Sequence, residues 1–164
     1  MWELMSERMK AGLPRHQFAS PAVLQTIRQD YASVASGETV LEVELDDDLA
    51  LAALKQSGAG PGARATLLRR EDGEWRVQLS EVDLIYGAGD LDFQVNARRS
   101  DRRAIEVRGW ISGAQAVVTR AAKSSTLPTF HLKPKEPLPR GTHAAVAYVE
   151  AGPRAGAIAW TFER

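Results

Sequence analysis

Residues 62–98 read GARATLLRREDGEWRVQLSEVDLIYGAGDLDFQVNAR, and residues 113–149 follow the same pattern as GAQAVVTRAAKSSTLPTFHLKPKEPLPRGTHAAVAYV. Both stretches open with Gly-Ala-x-Ala and a short apolar run, and both pass through a polar turn into a run of alternating apolar and polar residues. A leucine and a glycine then precede a second alternating run in each copy. Alternation with a period of two is typical of a β-strand with one buried face. The two copies therefore predict a mostly β protein with two related sets of strands.

In each alternating run, one set of residues should face a core and the other set the solvent. The first copy turns at Asp72-Gly73, a strong hairpin signal, and Trp75 then stands in register with Val77, so we expect Trp75 to be a core residue. The same argument predicts that Trp160 is a core residue. The residues expected to point inward are Leu91, Phe93, Val95, Ala97, Phe130, Leu132 and His143, and those expected to point outward are Asp90, Asp92, Gln94, Asn96 and His131.

The N-terminal segment, residues 1–37, has a helical pattern. Apolar residues recur at helical spacing in residues 1–12, and Ser20 with Pro21 forms a capping signal for a second helix that ends at Gly37. Two interpretations stay open at this point. The two helices cover one end of the β-structure, or they are the end of an upstream domain.

Between the helical segment and the first copy, the pattern changes to a period of two. Residues 41–45 alternate apolar and acidic side chains, which predicts a strand with one wet face. The following LALAAL run, residues 49–54, fits either a helical turn or a strand. The sequence SGAGPGA at residues 57–63 predicts a loop, because Gly and Pro interrupt regular structure.

Composition limits the possible partners. The 164 residues carry 21 basic and 21 acidic side chains, so the chain has no net charge with which to bind nucleic acid through its whole surface. There is no cysteine, which excludes disulfide and thiolate chemistry. No apolar run reaches the about 18 residues that a membrane span needs. The charged N-terminus is not a signal peptide, so an extracellular or periplasmic location, which we suspect, would require an upstream signal.

Three segments together resemble the bacterial immunoglobulin-like (Ig-like) repeat. They are LEVELDDDLALAAL at residues 41–54, DGEWRVQLSEVDLIYGAGDLDFQVNA at residues 72–97, and TFHLKPKEPLPRGTHAAVAYVEAGPRAGAIAWTFE at residues 129–163. The resemblance implies tandem Ig-like β-sandwich units behind a short N-terminal helical segment. The predicted organisation is then residues 1–37 as that segment or a linker, residues 38–101 as unit one and residues 102–164 as unit two.

The alternative architecture is a single β-sandwich or barrel, in which the two copies are halves of one domain. Its interior could hold a small apolar ligand. The Ig-like resemblance instead implies a non-catalytic accessory or interaction module of a larger, exported bacterial protein. Such a module acts as a spacer or binds protein or polysaccharide, without a cofactor and without enzymatic activity. A hydrolase with an unrecognised site is the third class of function.

Candidate binding residues lie at the expected boundary between the copies. Arg98, Arg99, Arg102 and Arg103 form a basic cluster that could meet phosphate or an acidic glycan, and a solvated linker is the simpler interpretation. Trp110 is out of register with its neighbours in a predicted strand, which makes it a candidate for an exposed contact, although the second face of a sandwich or an interface between units would bury it.

Two sets of residues are candidate metal ligands. Asp46, Asp47 and Asp48 are possible calcium ligands at the end of a strand, but they lack the spacing of a calcium loop and fit an ordinary charged turn. His131 and His143 would form a metal pair only if their strands were neighbours, and the sequence shows no third ligand.

Overall fold

The computed structural model describes residues 2–12, 15–22, 24–25, 39–55, 63–78, 80–87, 90–121 and 126–164. The protein is mostly β, as predicted, and its described strands form three antiparallel sheets. The chain divides into two compact units, Met1–Leu79 (unit 1) and Ser80–Arg164 (unit 2). No helix within the described ranges is long and apolar enough to cross a membrane.

Unit 1 is built on a four-stranded antiparallel meander, sheet A, with the strand order β1-β2-β3-β4. The run that sequence left ambiguous is strand β2, because it pairs along its whole length with both neighbours and buries every second residue. The described elements are a 3-10 helix at Trp2–Leu4, α1 at Glu7–Gly12, α2 at Arg15–Phe18, β1 at Thr39–Asp46, β2 at Leu49–Lys55, β3 at Ala63–Glu71 and β4 at Glu74–Gln78.

The N-terminal segment is helical, but residues 1–12 do not form one helix. Met5 interrupts it by bridging to Val77 of β4, and the next backbone N–H, that of Ser6, donates to the Val77 carbonyl at 3.0 Å. The second predicted helix begins with an N–H of Leu24 that donates to the Ser20 carbonyl at 2.9 Å. Its predicted continuation through residues 26–37 lies outside the described residues, as does most of the predicted loop at 57–63.

Unit 2 is a β-sandwich of two four-stranded antiparallel sheets. Sheet B has the order β5-β6-β10-β9, and sheet C has the order β12-β11-β7-β8. The elements are β5 at Asp83–Tyr86, β6 at Asp92–Asn96, β7 at Ile105–Ile111, β8 at Ala114–Gln115, β9 at Val117–Arg120, β10 at Thr129–Lys133, β11 at Thr142–Ala151 and β12 at Arg154–Glu163.

One core fills the space between sheets B and C. It contains most of the residues expected to point inward, and Trp160 is buried in it as predicted. Sheets B and C are close together at Gly109, where an added Cβ would lie 2.4 Å from a methyl carbon of Leu132. A larger residue at this position would therefore require the Leu132 side chain to shift. The described core consists of Val82, Phe93, Val95, Ala97, Ile111, Ala116, Phe130, Leu132, Ala145, Ala147, Val149, Ala151, Ile158 and Trp160.

The compact units divide at residues 79/80, whereas sequence placed a domain boundary at residues 101/102. Strand β6 precedes residue 101, yet it pairs with β10 in sheet B and contributes Phe93 and Val95 to the core of unit 2. The first copy of the repeat is consequently split, with β3 and β4 in unit 1 and β5 and β6 in unit 2. The arginine-rich segment at residues 98–103 is a loop inside unit 2.

Candidate functional site

The hairpin of β3 and β4 determines which side chains of sheet A meet the solvent. Its register pairs Leu67 with Gln78 and Arg70 with Trp75. Residues directly opposite each other share a face, and successive residues of a strand alternate between faces. Leu67 is buried and the Gln78 residue is 1% exposed, so these two lie on the buried face. Trp75 is three positions from Gln78 and therefore lies on the other face.

Trp75 is 40% exposed, so its expected place in the core was wrong. The reason is that Gln78 takes the core position. Nε of Arg69 donates to Oε1 of Gln78 at 3.1 Å, which provides the buried amide with a partner. The apolar residues of β4, Trp75 and Val77, then fall on the opposite face, and Trp75 becomes a large aromatic surface at the end of the sheet.

Arg70 lies directly opposite Trp75, is exposed, and forms no ion pair with any described residue. Three charged neighbours are already engaged. Arg76 pairs with Glu74, and Arg69 pairs with Asp48 at 3.5 Å. The carboxylate of Glu71 accepts the backbone N–H of Glu7 at 2.9 and 3.1 Å, which is a favourable place for an acid at the start of α1. We call Trp75 and Arg70 the Trp75–Arg70 pair.

In unit 2, His143 connects two turns. Its Nε2 donates to the carbonyl of Pro139 at 2.8 Å, which leaves Nδ1 to accept the hydroxyl of Ser112 at 2.9 Å. The His143 residue is 7% exposed, as its core-facing register predicted, and its ring packs on Phe162 with 5.6 Å between centroids. Ser112 has a positive φ of 48°, which the two-residue turn Ser112-Gly113 requires.

A serine bonded to an imidazole is also the first half of a nucleophile–base pair. Here the second imidazole nitrogen is held by the carbonyl of Pro139, whereas a carboxylate in that place would stabilise a charged imidazole. The two bonds of His143 therefore fix one tautomer and hold the β7–β8 turn against the loop that precedes β11.

The two strand histidines do not come together. His131 lies on the outer face of sheet B, where its Nδ1 bonds the carboxylate of Asp92 on the neighbouring strand, whereas His143 lies on β11 in sheet C. Their strands are not neighbours, so the metal pair does not form. Within the described part of the chain, no group of three or more His, Cys, Asp or Glu residues could hold a metal ion.

The acidic run ends strand β1 and forms the turn of the first hairpin. Asp46 pairs with Leu49 in the register, which makes Asp47 and Asp48 the two residues of the turn. The Asp48 carboxylate bonds Arg69, and its carbonyl accepts the N–H of Arg70 at 2.8 Å. These contacts are those of an ordinary charged turn, and the possible calcium site is not formed by the described residues.

The arginine cluster is only partly available to a partner. Nε of Arg102 donates to the Ala97 carbonyl at 3.2 Å, and its Nη1 donates to the Thr126 carbonyl at 3.0 Å, so Arg102 holds two loops of unit 2 together. Asp101 pairs with Arg154 of β12. Hydrogen bonds from Arg154 and then from Ser100 hold the pKa of the Asp101 carboxyl below its usual value. The three exposed arginines of the cluster are Arg98, Arg99 and Arg103.

Trp110 is 9% exposed, so the expectation that it forms an exposed contact was wrong. Its neighbour in β7, Ile111, points into the core, so Trp110 points the other way, to the outer face of sheet C. There it lies opposite the buried Val146. On the same face, Arg108 stacks over the ring of Tyr148 at 5.0 Å. The exposed tryptophan of the described residues is Trp75.

Comparison with known proteins adds no family to this geometry. No family model, curated protein or solved structure matches the chain. The Ig-like resemblance therefore stays a prediction. Sequence analysis missed the Trp75–Arg70 pair because it treated the alternation in β4 as a guide to the core. The sequence signal for a buried Gln78 was Arg69, nine positions earlier, because its long side chain can donate a hydrogen bond to a buried amide.

Proposed function

We propose that the chain is a non-catalytic interaction module of a larger, exported bacterial protein, and that unit 1 binds polysaccharide on the exposed ring of Trp75. The observation that carries this proposal is the exposure of Trp75 on the outer face of sheet A. An indole that is exposed on a strand loses hydrophobic stabilisation, and a sugar ring stacked on it would remove that apolar surface from water.

The size of the apolar surface favours a sugar over a protein as the partner. Among the described residues of unit 1, the large hydrophobic side chains that are exposed are Leu4 and Trp75. A stable protein interface buries about 800 Å² on each side and has an apolar centre of several residues. One indole is instead matched in size to one sugar ring.

The surroundings of the other candidate groups support a non-catalytic role. Both nitrogens of His143 bond turn residues, and Nδ1 of His131 bonds Asp92. The rival proposal, a small apolar ligand inside a β-domain, needs an open interior. In unit 2 the space between the sheets contains the stacked rings of Phe93 and Phe130, 5.7 Å apart, which favours the surface of sheet A over the interior.

The test is binding of the purified chain to an array of soluble bacterial and plant polysaccharides, followed by isothermal titration with the best ligand. We expect Trp75→Ala to weaken binding by about 10- to 30-fold, the loss typical of a central tryptophan. Leu4→Ala is the matched control, because it removes the other exposed apolar side chain, and it should bind as the parent chain does. Binding that persists unchanged in Trp75→Ala would exclude this surface.

A further inference from the structure

We infer that the polysaccharide is acidic, and that Arg70 binds its carboxylate or sulfate while the sugar ring stacks on Trp75. This inference rests on the proposed function, since it names the class of ligand for the same surface. It follows from three features of the β3–β4 hairpin: the register, the ion pairs around it and the position of its one unpaired acid.

The register places the two side chains side by side. Arg70 and Trp75 are direct cross-strand partners, and such partners have Cβ atoms about 4.5–5.5 Å apart on one face of a sheet. This spacing is comparable to the width of one sugar ring. A ring that lies on the indole therefore brings an acidic substituent at its edge within reach of the guanidinium, which binds a carboxylate or sulfate through two parallel hydrogen bonds.

Among the described side chains of the β3–β4 hairpin, the ion pairs leave Arg70 as the cation on this face. Arg69 and Arg76 are neutralised by Asp48 and Glu74, and their side chains lie on the other face of the sheet. Because Arg70 is exposed and forms no ion pair with a described residue, its charge is available to an anionic ligand. The exposed arginines at residues 98–103 differ from Arg70 in their surroundings. Residues 90–111, which are all described, include no exposed aromatic residue.

Asp72 opposes the anion. It is exposed in the turn between β3 and β4, two residues from Arg70, and it makes no ion pair with the described residues. Its charge should lower the affinity for an acidic ligand and leave a neutral ligand unaffected. The hairpin thus offers substitutions of both signs, one that removes the attracting charge and one that removes the repelling charge.

The experiment uses two ligands that differ at the carboxyl group, a uronic-acid oligosaccharide and its fully methyl-esterified form, which is uncharged. Isothermal titration at low salt should show that the chain prefers the acid form. Arg70→Gln should weaken binding of the acid form by about 10-fold and leave the ester nearly unchanged. Asp72→Asn should strengthen binding of the acid form by about 2-fold. Arg99→Gln, an exposed arginine of unit 2, is the matched control and should have no effect.

The outcomes separate this inference from the proposed function. Suppose that both ligands bind equally, and that binding is lost in Trp75→Ala but retained in Arg70→Gln. This result would overturn the inference that the ligand is acidic and would support sugar binding on Trp75. If no oligosaccharide binds, both the acidic ligand and the proposed sugar surface are overturned. The same follows if the chain captures a protein partner that binds the Trp75→Ala variant equally well. Circular dichroism and a melting curve of each variant confirm that a loss of binding is not a loss of folding.

Discussion

Strands β4 and β10 occupy the same place in the two copies of the repeat, yet they present opposite sets of residues to the buried side of their sheets. In β10 the apolar residues Phe130 and Leu132 are buried in the core of unit 2, as the alternation predicts. In β4 the polar residue Gln78 is buried, and the apolar Trp75 is exposed. The alternation is equally clear in both strands, so it identifies which residues share a face and leaves open which face is buried.

The partner strand makes the difference. Next to β10, Phe93 of β6 lies directly opposite Phe130 and contributes a large apolar side chain to the same face. Next to β4, Leu67 and Arg69 of β3 lie on the face of Gln78, and Arg69 supplies the hydrogen bond that a buried amide needs. A polar residue can therefore take a buried position when a neighbouring strand carries its partner, and the apolar residues then form a surface.

The largest expected effect separates the two aromatic positions. Phe93→Ala should lower the free energy of unfolding of unit 2 by about 3–5 kcal/mol, because it opens a cavity between two packed sheets. Trp75→Ala should cost clearly less, since 40% of the Trp75 residue is already exposed to solvent, whereas Phe93 is fully buried. Urea unfolding monitored by hydrogen exchange measures each unit separately. Similar costs for the two substitutions would show that Trp75 is a packing residue, and the comparison of β4 with β10 would fail.

A smaller effect tests the buried amide. Gln78→Ala should destabilise unit 1 by about 1–3 kcal/mol, because it leaves a void and removes the acceptor of Arg69. Gln78→Glu is the informative companion, since it keeps the size and offers Arg69 a charged acceptor. It should be tolerated better than Gln78→Ala if the contact with Arg69 holds the residue in place. If Gln78→Ala has no cost in urea unfolding, the buried face of β4 is not fixed by this hydrogen bond.

Sequence predicted the strands of unit 2 and their inward residues, because these positions depend on local alternation. It did not predict how the strands assemble into units. Strand β6 pairs with β10, and the paired residues Asp92 and His131 are 39 positions apart in the sequence. The alternation within each copy carries no information about such a distant pairing. The segment at residues 98–103 illustrates the consequence. Its composition is that of a linker, but Arg102 and Asp101 both bond neighbouring segments of unit 2.

The smallest expected effect concerns that segment and depends on pH. Because Arg154 lowers the pKa of Asp101 in the folded state, the folded protein holds this proton less tightly than the unfolded chain, in which an aspartate has a pKa of about 3.9. The ion pair therefore stabilises unit 2 above about pH 4. This stabilisation is lost as the pH falls from there through the lowered pKa of the folded state.

Asp101→Asn should consequently be less stable than the parent chain at pH 7, and the difference in urea midpoint should shrink as the pH is lowered below 4. Asp83→Asn, which changes an exposed carboxylate at the start of β5, is the control and should show a smaller difference at pH 7. If residues 98–103 were a solvated linker between two domains, the two variants would behave alike. If Asp101→Asn lowers the urea midpoint more than Asp83→Asn does at neutral pH, and this difference disappears in acid, the loop must be held to β12 within unit 2.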